Sequence, residues 1–444
     1  MRFRVAGVGL PSRATLGLAI LAAAPPLVAW LIAAAVELPD RFNDFHSYWY
    51  AGRLLAEGAS PYDLEALRDL AARYGADFVV GTGYSYPLPF ALAVQPLSVL
   101  PFDAALVVFN GLSIAVFAAA VAAWLRRFHA AAPPVRVRVV ALACGAWPPV
   151  IGSVVNGQAN LVVLAAVAAG AALALEPSRA RSAVGGVAIG LAAVVKLVPG
   201  VIAVPLWLAG NRRIAVAGVA LGLLAPLGLA TLAEPVTSLE TGRLAALFRP
   251  DPFVTNQSVN GFVSRLVEGS DRMTALAPGA FDPAPLSAAL TLGLAVATFA
   301  VLWRSRTCLA SPDGLAAGIA LALVAATAGA PKTSFWNAAL VLVAAGLLLA
   351  WVAPGLAPSG LDRWERRLFV AWWGSAFVQP VFWTIAPLPA GPTAALVVLL
   401  GSLALYGTLA LWVLLGRRLR RLARIAEARG PTGALVPGVS APAS

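Results

Sequence analysis

The stretch ATLGLAILAAAPPLVAWLIAAAV, residues 14–36, contains 23 residues without a single charge. A helix needs about 20 residues to cross the hydrocarbon core of a bilayer, whereas the apolar part of a signal peptide has only about 7–15. Arg2, Arg4 and Arg13 precede the stretch, a pattern found in front of signal peptides as well as membrane anchors. The length of the stretch predicts a membrane-spanning helix that is retained.

The composition of the whole chain extends this prediction. Of its 444 residues, 60% are hydrophobic and only 12% are charged. A soluble globular protein has about 25% charged residues because its surface must be solvated. The chain is therefore predicted to be an all-α polytopic membrane protein. With two cysteines and two histidines, it is expected to have neither a disulfide framework nor a metal site.

Further apolar segments follow the first one, and together they predict about 12 transmembrane or re-entrant helices. The predicted segments are 14–36, 103–125, 139–155, 160–175, 183–195, 198–209, 214–233, 285–303, 314–330, 338–353, 368–388 and 392–416. The pair 183–195 and 198–209 is interpreted either as two spans or as a re-entrant hairpin. Residues 87–100 contain three prolines, and this short segment is predicted to re-enter the membrane or lie at its interface.

The distribution of arginine predicts the orientation. With a cytoplasmic N-terminus, the cytoplasmic segments hold 22 of the 32 basic residues and 5 of the 20 acidic ones. The two long loops 37–85 and 234–284 hold 8 basic and 14 acidic residues. Positive residues favour the cytoplasmic side, so both termini are predicted inside and both loops outside a bacterial plasma membrane. The net charge of +12 follows from these topology signals, and no nucleic-acid partner is predicted.

The C-terminal end is predicted to differ from the rest. Residues 1–416 are expected to form one membrane-embedded domain, and residues 417–444 a basic cytoplasmic tail. Within the tail, RRLRRLARIAEAR at 417–429 is predicted to lie on anionic headgroups. The Pro-, Gly- and Ala-rich residues 430–444 are predicted to be disordered.

The first long loop begins with FNDFHSYWYAGRLLAEGASPYD at 42–63. Asp44 lies among aromatic residues close to the predicted membrane surface, and desolvation by such neighbours raises the basicity of a carboxylate. The alternative interpretation is an aromatic belt at the interface with a solvated acid. His46 is the only histidine on the predicted outer face, where a supporting role is considered.

Three shorter patterns lie near the same predicted face. YSYPLPF at 84–90 contains Tyr86 and the prolines of the re-entering segment, and NGQAN at 156–160 contains Gln158 and Asn160. The latter is also explained as a helix-capping turn. Lys196 stands alone in an otherwise uncharged run, 182–210, and it is interpreted either as a snorkelling anchor or as a cation that binds a lipid phosphate.

The second long loop contains TNQSVNGFVSRL at 255–266. Asn256 and Gln257 supply amide groups and Arg265 supplies a planar fork of donors, a combination that suits phosphate or sugar hydroxyls. Helix capping and surface polarity explain the pattern equally well. Lys332 is the second of only two lysines in the chain, and like Lys196 it lies between apolar stretches.

In order and spacing, these patterns resemble glycosyltransferase family 87, whose members are membrane enzymes of the GT-C superfamily. The resemblance covers residues 14–350 and rests on the acid with its aromatic residues, Gly58 to Tyr62, Tyr-Pro-x-Pro at 86–89, Gly-Gln-x-Asn at 157–160, Lys-x-x-Pro at 196–199 and Asn-Gln-Ser at 256–258. Some members carry histidine in the stretch that aligns with APKTSFWNAAL, where this chain has Ser334, Trp336 and Asn337.

The resemblance implies a GT-C-like fold and transfer of a sugar, mannose in many members, from a polyprenyl-phosphate donor to a hydroxyl of a lipid or glycan acceptor. Asp44 would then be the general base, in an inverting reaction that needs no cofactor. Lys196, Arg265 and Lys332 would stabilise the departing phosphate, and Gln158, Asn160, Asn256, Gln257, Tyr86 and His46 would line the site. The alternatives are a transporter or flippase of a lipid-linked saccharide, and a non-catalytic envelope-assembly protein.

Overall fold

The computed structural model describes residues 12–36, 43–74, 83–233, 249–269, 275–353, 360–385 and 398–429. Within these ranges the protein is helical and contains no β-strand, apart from one isolated bridge between Asn256 and Ser334. The predicted all-α class is thereby confirmed. Parts of both long loops, including Asp40, and the residues after 429 lie outside the described ranges.

Seventeen α-helices are described in these ranges. They are α1 Arg13–Ala35, α2 Asn43–Ala56, α3 Leu64–Arg73, α4 Leu88–Val94, α5 Phe102–Phe128, α6 Pro134–Ala146, α7 Pro148–Val155, α8 Asn160–Ala174, α9 Arg179–Val195, α10 Ala203–Leu208, α11 Arg213–Ala233, α12 Val259–Val267, α13 Pro283–Arg304, α14 Pro312–Gly329, α15 Val341–Leu347, α16 Arg363–Ile385 and α17 Leu403–Arg429. Short 3₁₀ helices lie at Gln95–Val99, Val198–Ile202, Cys308–Ala310 and Phe335–Leu340, and a π-helical turn at Leu348–Val352.

Six helical segments of the described chain are long and apolar enough to span a membrane: α1, α5, α11, α13, α14 and the segment Phe335–Val352. The pair α6 and α7, bent by 45° at Trp147, is a seventh if it counts as one span. The protein is thus a multi-pass membrane protein. The apolar helices Asn160–Ala174 and Val198–Leu208 are shorter than these spans. The predicted number of about 12 transmembrane or re-entrant helices therefore stays a prediction.

Helices α9 and α11 pack at backbone contact along glycine-rich faces. Each carries two glycines four residues apart, the small-residue spacing that lets membrane helices approach closely. A Cβ atom on Gly186 would lie 2.1 Å from the carbonyl oxygen of Ala215, and one on Gly222 would lie 2.4 Å from that of Val187. No larger residue fits at either position without separating the helices.

A second, smaller core forms where α2 lies against the start of α5 and the 88–99 segment. Phe45, Tyr48, Trp49 and Tyr50 are all buried in it. These four aromatic residues of the first loop therefore pack against protein and do not face lipid. Residues 88–99 form a helix of 12 residues, about 18 Å long and too short to cross a bilayer core.

Helix α17 continues without a break through Gly416 into the basic segment 417–429. Arg418 pairs with the buried Glu365 of α16 at 2.5 Å and donates to the carbonyl oxygen of Gly360. Leu419 is also buried. The basic segment thus begins as a packed helix, and contact of its outer part with headgroups stays a prediction.

Candidate active site

The NGQAN turn, residues 156–160, holds the first turn of α2 in place. The backbone N–H of Asp44 donates to the carbonyl oxygen of Asn156 at 3.1 Å. Gly157 has φ +65°, a conformation that favours glycine, and a Cβ atom there would lie 2.6 Å from Cβ of Phe45. The positive φ and the close contact with Phe45 both require glycine at position 157. Because Gly157 has no side chain, α2 can approach the turn, and Asp44 lies next to Gln158.

Gln158 is buried and connects the acid to the lysine. Its Oε1 accepts from Nζ of Lys196 at 2.9 Å and from the hydroxyl of Tyr86 at 3.2 Å, and Tyr48 in turn donates to Tyr86 at 2.8 Å. Gln158 is also close enough to Asp44 to act on the pKa of its carboxyl as a hydrogen-bond partner. Because Oε1 is occupied by donors, the amide N–H groups are the part that faces the carboxylate.

Lys196 caps the C-terminal end of α9, where the backbone becomes extended at φ −140° and ψ 123°. Its ammonium group donates to Oδ1 of Asn337 at 2.6 Å and lies 5.7 Å from the centroid of the Tyr86 ring. Among the described residues no carboxylate lies within 4 Å of it. An ammonium has three N–H donors, so one remains after the bonds to Gln158 and Asn337.

The electrostatic setting of Asp44 favours proton acceptance. Burial raises the pKa of this half-buried carboxyl, while the positive charge of Lys196, the hydrogen bond from Gln158 and the charge of Lys332 act in the opposite direction. The raised pKa agrees with the increased basicity predicted from its aromatic neighbours. The acid is therefore held close to two cations without forming an ion pair with either.

Lys332 lies at the more open side of this group of residues. Its side chain is 48% exposed and pairs with Asp251 at 3.3 Å. Because its charge still acts on Asp44, it is close enough to contribute to the same positive region. Stabilisation of the departing phosphate by Lys332 stays a prediction.

Asn160 has an indirect connection to the site. Its Nδ2 donates to the carbonyl oxygen of Trp336 at 3.0 Å and to Oγ of Ser153 at 3.1 Å. These bonds fix the 3₁₀ helix that carries Asn337 against the NGQAN turn. Asn160 thus positions a partner of Lys196 and does not itself face the Asp44 carboxylate.

The three residues predicted from the second loop form bonds within the protein. Arg265 is 1% exposed and donates to the carbonyl oxygens of Phe253 and Asn256 and to Oγ of Ser402. The side chain of Gln257 donates to Val254 and Gly401, and that of Asn256 donates to Asp251 and accepts from Thr333. Because their polar groups are used in fixing the loop, we do not assign them to the ligand.

His46 and the carboxylates Asp63 and Glu57 contact residues other than Gln158. His46 is two residues beyond Asp44 on α2 and stacks on Phe102 with centroids 4.2 Å apart. Asp63 caps the N-terminus of α3, and Glu57 pairs with Arg53 and Arg73. Asp44 is thus the carboxylate of the described first loop that is bonded to the Gln158–Lys196 pair.

Two residues of this site, Asn337 and Tyr48, are not among the site residues predicted from the sequence. In the sequence Tyr48 is only an aromatic neighbour of the acid, and Asn337 only a departure from the histidine pattern of family members. That departure is the available signal, because Asn337 accepts a hydrogen bond from Lys196 that is shorter than the one to Gln158. Among the described residues, no group of three or more His, Cys, Asp or Glu residues is placed to hold a metal. Metal independence stays a prediction.

An acid, an amide and a cation thus lie together in a multi-pass membrane protein. The model of glycosyltransferase family 87 matches residues 84–331, more than half of the chain, and the protein belongs to this family. The match includes Tyr86, Gln158 and Lys196 and begins after Asp44. No curated protein and no solved structure matches the chain.

Proposed function

We propose that this membrane glycosyltransferase moves a sugar, with mannose the first candidate, from a polyprenyl-phosphate donor to a hydroxyl of a lipid or glycan acceptor. The observation that carries the proposal is the single side chain of Gln158, which bridges the Asp44 carboxylate and the Lys196 ammonium. Glycosyl transfer from a phosphate needs these two charges at neighbouring places. A base is needed at the acceptor, and a cation at the leaving group.

Asp44 accepts the proton of the acceptor hydroxyl as its oxygen forms a bond to the anomeric carbon. The bond between that carbon and the phosphate oxygen breaks, and its electron pair stays on the phosphate. Attack from the face opposite the leaving group inverts the anomeric centre. The pKa of Asp44, raised by burial, makes the carboxylate a better base than an exposed aspartate.

Lys196 stabilises the charge that the leaving phosphate gains. Its remaining N–H donor and the charge of Lys332 are positioned before the reaction begins, so little reorganisation is needed. Asn337 and Gln158 hold the ammonium group from two sides. The Tyr86 ring, with its centroid 5.7 Å from Nζ, covers one side of the ammonium group.

We place the site on the outer face of a bacterial plasma membrane, where the arginine distribution puts both long loops. A lipid-linked donor is the consistent choice there. Membership of a glycosyltransferase family favours transfer over the transporter and scaffold alternatives. No cofactor enters the proposed reaction, since the donor carries its own leaving group.

The test is transfer of radiolabelled mannose from polyprenyl-phosphate mannose by the purified full-length protein, compared with a nucleotide-linked mannose donor. We expect transfer only from the lipid-linked donor, and a 10²–10⁴-fold lower rate for Asp44→Asn, the usual effect of losing a general base. Asp63→Asn is the matched control because asparagine also caps a helix well. Equal rates for Asp44→Asn and Asp63→Asn would move the base elsewhere.

A further inference from the structure

A cavity of about 400 Å³ lies between α5, α6, α8, α15 and α16, far from Asp44. From α5 it is lined by residues between Ala120 and His129, whereas Phe102, at the other end of the same helix, stacks on His46. Trp124 is 22 residues beyond Phe102, which is about 33 Å along a helix and about the thickness of a bilayer core. The cavity is therefore in the half of the bundle opposite the Asp44 site.

Tryptophans close the inner end of this cavity. Trp372 and Trp373 line it, and Trp147 stacks on Trp373 with centroids 5.6 Å apart and an interplanar angle of 10°. Along the chain Trp147 lies between α6, which lines the cavity, and the α7 segment that leads to the NGQAN turn. Trp147 thus stands in the chain between the cavity wall and the segment that leads to the Gln158 turn.

The side of the cavity opens towards lipid. Val370, which lines it, is 66% exposed, and Leu142 on the neighbouring α6 is 44% exposed. An apolar cavity gives water too few hydrogen-bond partners to hold it. Its walls are hydrocarbon and aromatic, so hydrocarbon is the filling that suits it.

Arg366 lies at the outer end of the cavity. It lines the cavity and is exposed, and its guanidinium forms no hydrogen bond or ion pair with any residue in the described ranges. The acidic residue of the same turn, Glu365, is buried and paired with Arg418. Trp373 is seven residues beyond Arg366, which is about 10 Å along the helix. The Arg366 guanidinium therefore lies at one end of an apolar cavity that extends about this far along α16.

We propose that this cavity binds an acyl chain of an anionic glycerophospholipid whose phosphate contacts Arg366. The lipid enters from the arginine-rich end, its first methylene groups fill the cavity, and the chain then leaves towards the bilayer between α6 and α16. The bound acyl chain contacts α16 on one side and α5 and α8 on the other, and so fills a gap between these helices. This lipid is distinct from the sugar donor, and the assignment does not depend on the proposed transfer reaction.

The experiment measures the lipid retained by the full-length protein. The protein is delipidated in detergent, incubated with phosphatidylglycerol or phosphatidylcholine, and examined by native mass spectrometry. We expect about fivefold greater retention of phosphatidylglycerol, the effect of one arginine near an anionic headgroup. Arg366→Gln removes this preference. Arg367→Gln retains it, because Arg367 stacks on Trp364 and does not line the cavity.

A second pair of variants tests the cavity itself. Ala143→Phe places a ring into the cavity from a half-buried position and lowers retention of both lipids. Ala123→Phe adds the same ring on the exposed side of α5, outside the cavity, and leaves retention unchanged. Equal phosphatidylglycerol retention by wild type and Arg366→Gln would overturn the proposal. Recovery of polyprenyl phosphate as the lipid displaced by Ala143→Phe would also overturn it, since the occupant would then be the donor chain.

Discussion

The ammonium nitrogen of Lys196 lies 2.9 Å from Oε1 of Gln158, and the same glutamine lowers the pKa of Asp44 as a hydrogen-bond partner. A cation and an acid from distant parts of the chain are thereby held a single side chain apart. Any change to one of them alters the charge or the position of the other. This coupling makes the site testable by pH as well as by substitution.

The acid limb of the pH–rate profile reports the pKa of Asp44. The carboxylate must be unprotonated to act as a base, so the rate falls as the pH falls through its pKa. Burial raises that pKa above the ordinary aspartate value of 3.8, and we expect the limb of kcat/KM above that value. Lys196 lowers the same pKa, so Lys196→Gln is expected to move the limb to still higher pH.

The profile is measured as initial transfer rates across buffers of equal ionic strength, for wild type and Lys196→Gln. Asp63→Asn is the control and should leave the limb in place, since Asp63 is bonded to the start of α3. A limb that stays in place or moves to lower pH in Lys196→Gln would contradict the assignment of Asp44 as base.

Substitutions of Lys196 distinguish a phosphate-binding cation from a membrane anchor. Lys196→Gln should weaken transfer about 10–150-fold through loss of charge-assisted hydrogen bonds worth about 1.5–3 kcal/mol each. Lys196→Arg should also be impaired, because Asn337 and Gln158 hold a compact ammonium at 2.6 and 2.9 Å and a guanidinium is wider. A snorkelling anchor would tolerate arginine.

The measurement is the transfer rate against donor concentration for the Arg, Gln and Ala variants at matched expression. Lys332→Gln is the comparison, and we expect a smaller loss because its side chain is 48% exposed and already paired with Asp251. Wild-type kinetics in Lys196→Gln would remove the phosphate from this position.

Gly157→Ala tests the close contact beneath α2. A non-glycine residue in this left-handed conformation costs about 1–2 kcal/mol, and its Cβ would also overlap with Phe45. Gly58→Ala provides a matched control because Gly58 has φ +76° and a methyl group added there would meet no atom within 4 Å. Both variants should lower the thermal midpoint, and Gly157→Ala should lower it further and reduce transfer. Equal shifts would show that the contact with Phe45 is easily relaxed.

Cysteine labelling tests the orientation. We expect Ser60→Cys, Ser270→Cys and Ala280→Cys to react with an impermeant reagent in intact spheroplasts, and Ala130→Cys to react only after lysis. The reason is the partition of 22 basic residues to the predicted inner segments against 8 in the two long loops. Protection of Ser60→Cys or Ala280→Cys in intact cells would reverse the topology.

Hydrophobicity alone was enough to predict most of the helices, because apolar length is a local property of the chain. Asp44 and Lys196 could each be singled out from their isolation among aromatic and apolar residues, but the contact of both with Gln158 could not. Arg265 shows why other site residues could not be assigned in the same way. An arginine among amides in a polar loop has the same sequence pattern whether it binds phosphate or backbone carbonyls, and only the fold distinguishes the two.

The positions of the partners were also beyond the sequence. The departure from the histidine pattern draws attention to Asn337 but does not give Lys196 as its partner, because Asn160 and Ser153 fix its 3₁₀ helix from another part of the chain. The contact of Trp147 with Trp372 and Trp373 of α16 is likewise not indicated by the sequence around Trp147. Such contacts join segments far apart in sequence, and no periodicity records them.

The glycine contact between α9 and α11 has a mechanical consequence. Two helices in backbone contact are harder to bend or to slide past each other than one helix alone. Lys196 lies at the C-terminal end of α9 and is therefore held by this rigid pair. Asp44 lies instead on the short helix α2, whose first turn contacts the turn at Asn156 and Gly157. We expect a sugar that enters between Asp44 and Lys196 to displace α2 and leave Lys196 in place. On that expectation, the range of acceptors is determined on the Asp44 side of the site.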